Sequence, residues 1–386
     1  MGPAGTPFMW LTVLLLLAVI AVTVAVWPRL AQRKASHIAG RTGLVVTGQV
    51  VAALCALIIT NKTLGPFYVT WADLFGQDVG DVTAGQASAP GTPHPGGAGH
   101  AGPGGAAPGT TPASGVPHNG TQQFKPYSGR FVKTDFTGPK SGVTGEVDVY
   151  TPPQYDDPAN KDREFPVVML LHGIPGTNSG WVGGGAMNVQ KQVEPLFADG
   201  RVQPFVLVVA DIGNNTTNTQ CSDVPGKGNR ATWLADDVRT MVISNFRVAS
   251  DPKKWAALGY STGGTCAAKL AVQFPQAFHY GMSIAGDDFK GDASAFGGDK
   301  DLRDRNSALW LLGHHKPAPD ASLWLMTSKE DEVGLSRYSD ELVAAAQQAG
   351  VPAEAYTVPR GGHVTATWRQ LIEPAFLWLN GKMQTH

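Results

Sequence analysis

The sequence predicts an α/β domain, a mostly parallel sheet flanked by helices, preceded by two transmembrane helices and a disordered linker. Three observations predict this organisation. Two uncharged apolar runs begin the chain, a Gly/Pro/Ala-rich stretch follows, and apolar strands then alternate with helical stretches. Such alternation is typical of βαβ units in a parallel sheet. With 386 residues the chain is also longer than one ordinary domain.

The first apolar run, 8–27, contains no charged residue and has Trp10 and Trp27 near its ends. About 20 apolar residues span a bilayer, and tryptophans often sit at its interfaces. A cleaved signal peptide is the alternative, but no basic residue precedes the run and its core is longer than usual. A second uncharged run, 43–60, follows closely. The two runs together predict a helical hairpin in the membrane.

The charges around these runs predict how the hairpin is oriented. The connecting segment carries Arg29, Arg33, Lys34 and Arg41, whereas no Lys or Arg precedes the first run and only Lys62 closely follows the second. Basic loops stay in the cytoplasm. We therefore expect a multi-pass plasma-membrane protein with two spans, whose anchor covers residues 1–75 and whose remaining chain is extracytoplasmic.

Residues 76–124 form a separate region, dominated by Gly, Ala, Pro, Thr and Ser. Such a composition buries too little apolar surface to fold, so we predict a flexible linker. Its scattered His94, His100 and His118 allow a weak metal-binding tract as the alternative. The net charge of −1 predicts no attraction to nucleic acid.

The folded domain is predicted over residues 125–386. Its expected strands are 129–136, 145–150, 165–171, 205–210, 255–258, 280–284, 323–327 and 353–358.

The segment Gly259-Tyr260-Ser261-Thr262-Gly263 lies between the fifth predicted strand and a helix-like stretch. Strand, G-x-S-x-G and helix in this order are typical of the nucleophile elbow of an α/β-hydrolase. The tight turn needs small neighbours and exposes the serine hydroxyl at the end of the helix that favours negative charge. We predict that Ser261 is a nucleophile rather than part of a glycine-rich turn.

The nucleophile needs a base and an acid, which follow the serine in the order acid, then histidine. His363 comes after the last predicted strand and is flanked by glycines, so it is the expected base. His279 follows the elbow helix too soon, and His314 and His315 precede the strand that should carry the acid. A metal role for the pair His314-His315 is possible, but no Cys or carboxylate lies nearby at ligand spacing, so we interpret both as surface residues.

The acid is expected just after the strand 323–327, where Glu330, Asp331 and Glu332 occur in a row. The usual spacing from the strand selects Asp331, with Glu332 as the second choice.

An oxyanion hole needs two converging backbone N–H groups. Thr262, directly after the nucleophile, is one expected donor. Ile174 is the other, because it lies in the glycine-bearing loop 172–176 after the buried strand 165–171. His172 would then support this loop without carrying a proton.

These motifs resemble the putative esterase (esterase D-like) family of α/β-hydrolases, which includes the mycolyltransferases of actinobacterial envelopes. The resemblance rests on 170–174 with Gly180-Trp181, on 233–238, on the elbow, and on Gly361-Gly362-His363 with Trp368. It implies acyl-ester chemistry and an oxyanion N–H at Ile174. Family members use either aspartate or glutamate as the acid, which keeps Glu332 beside Asp331.

The cysteines and two loops leave further questions open. Cys55 lies in the second apolar run, and Cys266 is expected to be a small buried apolar residue. A Cys221–Cys266 disulfide is permitted outside the cell, although the sequence does not establish it. The loops 214–229 and 183–185 either shape an acyl or acceptor pocket or are plain surface connections.

The sequence therefore predicts a membrane-anchored, extracytoplasmic serine esterase or acyltransferase. Its expected substrates are carboxylic esters such as envelope lipid or sugar esters, with water or a sugar hydroxyl as acceptor. No metal or organic cofactor is required. The alternatives are a peptidase on the same fold and a non-catalytic envelope-binding protein. The sequence does not decide the acyl chain or the oligomeric state.

Overall fold

The computed structural model describes residues 6–30, 34–63, 120–182, 187–213, 219–291, 295–315 and 318–384. The described residues belong to two compact units, a helical one up to residue 63 and a larger one from residue 120. Most of the predicted linker, 76–124, lies outside the described residues, as do 183–185 and 214–218.

The helical unit consists of α1 (Thr6–Val26), a 3-10 turn (Trp27–Leu30) and α2 (Ala35–Thr63). Both helices are long and apolar enough to cross a membrane. They contact one another, and the Cys55 thiol on α2 donates to the Thr12 carbonyl on α1 at 3.6 Å. Membrane insertion and orientation remain predictions.

The second helix begins earlier than the apolar run indicated. It starts at Ala35 rather than at residue 43, so Arg41 lies inside α2 instead of in the connecting segment. The Arg41 side chain donates to the Leu30 carbonyl and lies 5.8 Å from the centre of the Trp27 ring. The helix accommodates Arg41 near the turn because the side chain of this residue reaches back to the turn.

The larger unit is built on a nine-stranded sheet. Its strands are β1 (Lys125–Ser128), β2 (Phe131–Thr137), β3 (Thr144–Tyr150), β4 (Val167–Leu171), β5 (Val206–Ala210), β8 (Trp255–Tyr260), β9 (Tyr280–Ile284), β10 (Ser322–Ser328) and β11 (Ala353–Val358). The spatial order is β1-β2-β3-β5-β4-β8-β9-β10-β11. The first three strands pair antiparallel, and the six from β5 to β11 pair in parallel. A separate two-stranded ribbon joins β6 (Asp223–Val224) and β7 (Gly228–Asn229).

Helices cover both faces of this sheet. They are α3 (Val189–Ala198), α4 (Arg230–Thr232, π-helical Trp233–Val238 and Arg239–Asn245), α5 (Thr262–Gln273), α6 (Lys300–Arg305), α7 (Ala308–His314), α8 (Ser336–Ala349), α9 (Thr365–Arg369) and α10 (Ile372–Gln384). Side chains from α4, α5, α7 and α8 pack on one face, and those from α3, α9 and α10 on the other. Successive strand residues join opposite cores: Val167 and Met169 face α5, whereas Val168 and Leu170 face α10. The predicted α/β fold is confirmed.

One strand was missed and another ends later than predicted, both for local reasons. Strand β1 was not predicted because its four residues are exposed and include a proline, so they show no apolar alternation. Strand β8 continues to Tyr260, two residues beyond the apolar run, because Gly259 and Tyr260 still pair with β9. Ser261 therefore follows the last paired residue directly.

His279, which lies too early in the chain to be the expected base, is buried. Its side chain lies where β9 begins, with Nδ1 3.5 Å from a carboxylate oxygen of Asp320 and its ring against Tyr280. Sequence position alone could not show this burial, because the residue lies in the connection between α5 and β9. His314 is exposed as expected and stacks on Trp310.

Asp148 is a buried carboxyl group on β3, and among the described residues neither of its oxygens has a partner with the distance and angles of a hydrogen bond. Burial raises its pKa to about 7, and the nearby carboxylates of Glu146 and Asp135 act in the same direction. Asn178 and Lys133 oppose this increase only in part. In the folded protein the group therefore keeps its proton well above the pH at which an unfolded aspartate loses it.

We expect the Asp148→Asn variant to be more stable than the wild type, increasingly so as pH rises. The wild type loses stability between about pH 4 and pH 7, because only its unfolded state ionises freely there, and the variant lacks this loss. The expected difference at pH 8 is about 2–4 kcal/mol. Thermal unfolding at pH 4 and pH 8 measures it, and an equal difference at both values would contradict the explanation.

Candidate active site

Ser261 occupies a sharp turn between β8 and α5. Its backbone has φ 54° and ψ −127°, a conformation that non-glycine residues rarely adopt. The neighbouring structure holds it there: its N–H donates to the Ile284 carbonyl at 2.9 Å, and its own carbonyl accepts from the N–H groups of Gly264 and Thr265. The strained turn thus presents the Ser261 hydroxyl at the carboxyl edge of the parallel strands.

The two glycines of the motif are required by close backbone contacts. A Cβ atom at Gly259 would collide with the Gly263 carbonyl, and one at Gly263 would collide with the carbonyls of Leu171 and His172. The elbow can therefore form only when both positions lack a side chain.

The structure brings Ser261, His363 and Asp331 together. The Ser261 hydroxyl lies 2.9 Å from Nε2 of His363, and Nδ1 of that ring is 3.1 Å from both carboxylate oxygens of Asp331. In the tautomer that satisfies both contacts, Nδ1–H donates to the carboxylate and Nε2 accepts from the hydroxyl. This is the hydrogen-bonded order of a nucleophile, a base and an orienting acid.

The turn after β10 separates the three acidic candidates by position. The Asp331 carboxylate is completely buried, and its Oδ1 accepts the N–H groups of Val333 at 2.9 Å and Gly334 at 2.7 Å. Glu330 instead accepts from the Gly361 N–H, and Glu332 is exposed. Of the three, Asp331 is the one whose carboxylate bonds to His363.

The two expected oxyanion donors flank the serine. Thr262 is the first residue of α5, and Ile174 lies in the loop after β4. Gly173 packs so closely that a Cβ atom there would lie 3.1 Å from Cβ of Ser261. The Ile174–Pro175 peptide bond is cis. The loop that carries Ile174 thus contacts the serine directly.

His172 holds the carbonyl of Gly173. Its buried ring lies with Nδ1 2.8 Å from that oxygen, while Nε2 accepts from the Ile212 N–H at 3.3 Å. A trans peptide directs its C=O and N–H groups in opposite directions. Fixing the Gly173 carbonyl on His172 therefore turns the Ile174 N–H away from His172.

Asp211 lies beside His172, directly after β5. Its Oδ1 lies 3.4 Å from Nε2 of His172 and accepts the Gly213 N–H, and Arg230 lies 3.7 Å from its Oδ2. Burial alone would raise the Asp211 pKa, but these partners together lower it. The carboxylate therefore stays ionised beside the loop that carries Ile174.

Three aromatic residues that the motif analysis did not assign to the site support His363 and the elbow. Trp368 meets the His363 ring edge to face at 4.9 Å and stacks on Tyr260 at 4.8 Å. Trp181 packs against the other side of this pair, 5.2 Å from Tyr260. Burial raises the Tyr260 pKa to about 12, so this phenol stays neutral. In the sequence, Tyr260 lies within the motif itself, and Trp181 and Trp368 are among the residues that carry the family resemblance.

Cys266 is buried as expected. It forms the disulfide with Cys221 that the sequence left open, and this bond fixes the segment 219–224 to the elbow helix α5. The 219–229 part of the predicted polar loop is largely ordered, and it includes the ribbon β6–β7. Among the residues that the structure describes, no group of three or more His, Cys, Asp or Glu side chains could hold a metal ion.

The family model described as "Putative esterase" matches residues 143–379, which is more than half of the chain. The chain belongs to the Putative esterase family. The match covers β4 with its loop, the elbow, the acid turn and His363, so the whole candidate site lies inside the region that defines the family.

Two of the relatives found by sequence comparison are distantly related to this chain. An uncharacterized protein of Corynebacterium glutamicum is 26% identical over 270 residues, 65% of this chain and 62% of that protein. An endo-1,4-beta-xylanase/feruloyl esterase of Xylanibacter ruminicola is 23% identical over 64% of this chain and 30% of its own length. This Putative esterase family member therefore spans less than two thirds of either relative.

Solved structures share the fold of the family member over almost their entire length. A ferulic acid esterase superposes with TM-score 0.56 at 19% identity, covering 65% of this chain and 98% of its own. A fluorophosphonate-binding serine hydrolase of Staphylococcus aureus gives 0.54 at 16%, covering 66% and 99%. An S-formylglutathione hydrolase of Agrobacterium tumefaciens gives 0.53 at 17%, covering 69% and 99%. Their similarity confirms the α/β-hydrolase architecture of the larger unit.

Proposed function

We propose that this protein is a serine esterase or acyltransferase that cleaves carboxylic esters through an acyl-enzyme. The observation that carries the proposal is the continuous hydrogen-bonded chain from the Ser261 hydroxyl through His363 to buried Asp331. It stands at a strained elbow in a member of an esterase family. Esterase and serine hydrolase names among the relatives and structural neighbours agree with this chemistry.

The first half-reaction forms the acyl-enzyme. His363 Nε2 takes the proton of Ser261 as Oγ attacks the ester carbonyl, and Asp331 stabilises the imidazolium. The N–H groups of Ile174 and Thr262 stabilise the oxyanion of the tetrahedral intermediate. Collapse of the intermediate breaks the ester C–O bond, and His363 returns the proton to the leaving alcohol.

The second half-reaction releases the acyl group. Water or a sugar hydroxyl attacks the acyl-enzyme carbonyl, giving up its proton to His363 Nε2. The bond to Ser261 Oγ then breaks, and the proton passes from His363 back to the serine. Water yields a free carboxylic acid, whereas a sugar hydroxyl yields a new ester. The same residues serve both outcomes.

We further propose that the enzyme works outside the plasma membrane, anchored by α1 and α2. The two apolar helices and the basic residues between the predicted spans support this orientation. The Cys221–Cys266 disulfide supports it independently, because such bonds persist in oxidising compartments. Esters of envelope lipids or sugars are the substrates that an enzyme at this place would meet.

Product analysis tests the proposal and separates its two outcomes. The full chain in mild detergent is incubated with acyl and feruloyl esters of several chain lengths, with and without mono- and disaccharides. We expect cleavage, with free acid in every reaction and acylated sugar only where transfer competes. Mass spectrometry identifies both products, and Ser261→Ala is the matched control. If wild type and control give the same products with every donor, the proposal is wrong.

A further inference from the structure

Lys269 is a lysine of the elbow helix α5 that is almost completely buried, with 1% of its surface exposed. Its ammonium donates to the carbonyls of Gln220 and Cys221, at 2.5 and 2.9 Å, and to the hydroxyl of Ser222, at 2.6 Å. The Ser222 hydroxyl itself donates to the Gln220 carbonyl. The three acceptors therefore match the three N–H bonds of a protonated lysine.

The electrostatic cost of this burial is substantial. Burial lowers the Lys269 pKa to about 7, although the carboxylates of Asp223 and Asp287 act to raise it. Lysine is almost never fully buried unless its charge is compensated. An apolar side chain would fill the same space without this cost, so packing alone does not account for a lysine here.

The segment that Lys269 binds is strained. Gln220 and Cys221 are consecutive non-glycine residues with positive φ, 48° and 54°. Such residues are disfavoured and persist only where surrounding contacts impose the conformation. Lys269 and the disulfide to Cys266 impose it from the same helix. In this conformation both carbonyls accept from the ammonium.

Hydrogen bonds connect the strained segment to the start of the elbow helix α5. The Gln220 side-chain amide donates to Oδ2 of Asp287 at 2.9 Å, and the Asp287 N–H donates to the hydroxyl of Thr265 at 2.9 Å. The Thr265 N–H in turn donates to the Ser261 carbonyl at 3.1 Å. Asp287 thus lies against the first turn of the helix that begins at the nucleophile.

The loop 285–289, which contains Asp287, also contacts the turn that carries Asp331. Ala285 and Phe289 have positive φ, and Gly334 packs so tightly on Ala285 that a Cβ atom at Gly334 would collide with the Ala285 backbone. The Gly334 N–H is one of the two donors to Oδ1 of Asp331. Residues 285–289 therefore touch both the elbow helix and the acid turn.

We propose that Lys269 is a positioning residue for the triad: by clamping residues 220–222 it sets Gln220 on Asp287 and so fixes the loop 285–289 between the elbow helix and the Asp331 turn. The inference rests on the proposed function. Lys269 does not touch substrate, and it acts through Gln220, Asp287 and Gly334.

The test uses the full chain in mild detergent with Lys269→Met, which keeps the length of the side chain without its charge. Active sites are titrated with a fluorophosphonate, so kcat is expressed per labelled site and a smaller folded fraction does not affect it. We expect kcat to fall about tenfold to a hundredfold, because small misplacements of catalytic groups have effects of this size. Lys254→Met, which removes a lysine bond to the Met383 carbonyl at the opposite end of β8 from Ser261, should match the wild type.

Hydrogen–deuterium exchange provides a readout that does not depend on activity. We expect Lys269→Met to speed amide exchange in residues 285–289 as well as in 219–224. If Lys269→Met does not fold, Gln220→Leu breaks the next contact with the lysine and disulfide intact, and we expect the same two changes. Unchanged kcat per site, or faster exchange confined to 219–224, would overturn the inference. A wild type without ester cleavage would overturn the proposed function, while the exchange experiment still decides the role of Lys269.

Discussion

Replacing Ser261 by alanine should lower ester cleavage by about 10⁴-fold or more, because the acyl-enzyme can no longer form. A fluorophosphonate probe should label the wild type and fail to label the variant. The change removes only a hydroxyl that bonds to His363, so the fold should be retained. Alanine should also tolerate the strained backbone at this position as well as serine does.

Measurement of the labelled fraction by mass spectrometry, beside residual cleavage of the best ester donor, checks this expectation. Thr262→Ala is the matched control, since it changes the adjacent side chain and keeps the backbone N–H at the start of α5. Equal labelling of wild type and Ser261→Ala would mean that another nucleophile reacts, and the assignment of Ser261 would be wrong.

Replacing Asp331 by asparagine should lower kcat by about 10⁴-fold with little change in KM, since an amide holds the wrong tautomer of the histidine. Asp331 is the partner of Nδ1 of His363, and two backbone N–H groups fix its position. These N–H groups suit a carboxylate oxygen and can also meet the amide oxygen of asparagine. The amide nitrogen would then face the ring in place of an acceptor.

Glu330→Gln and Glu332→Gln are matched controls from the same turn. Glu330 bonds to the Gly361 N–H and Glu332 is exposed, so neither change removes the contact between Asp331 and His363. Steady-state kinetics on the three variants should show one severe loss and two small ones. A severe loss for Glu332→Gln instead would transfer the role of the acid to that residue.

Much of the fold and of the candidate triad could be predicted because tight backbone turns and apolar strands depend on residues that are neighbours in the sequence. Most of the strands, the elbow and the residues that meet there follow from short stretches of the chain. The disulfide, the burial of His279 and Lys269, and the contact of Trp368 with Tyr260 depend on pairs far apart in sequence. No local pattern encodes such pairs, since they arise only when the sheet brings distant loops to one edge.

The acidic triplet illustrates the boundary between these two kinds of information. Spacing from the strand favoured Asp331, whereas family variation kept Glu332 open. The difference between them is made by Gly334 and Val333, whose N–H groups bind one carboxylate and not the other. A sequence of three acids does not reveal which one the turn directs inward.

The collisions that exclude side chains at Gly259 and Gly263 have a consequence for how relatives of this protein are recognised. Both glycines are imposed by backbone packing between the elbow, β4 and α5, and neither takes part in chemistry. A relative that had lost its nucleophile would therefore keep both glycines and still resemble an esterase in fold. Within the pentapeptide, the two glycines indicate that the fold is shared, and only the central residue indicates whether the nucleophile is present.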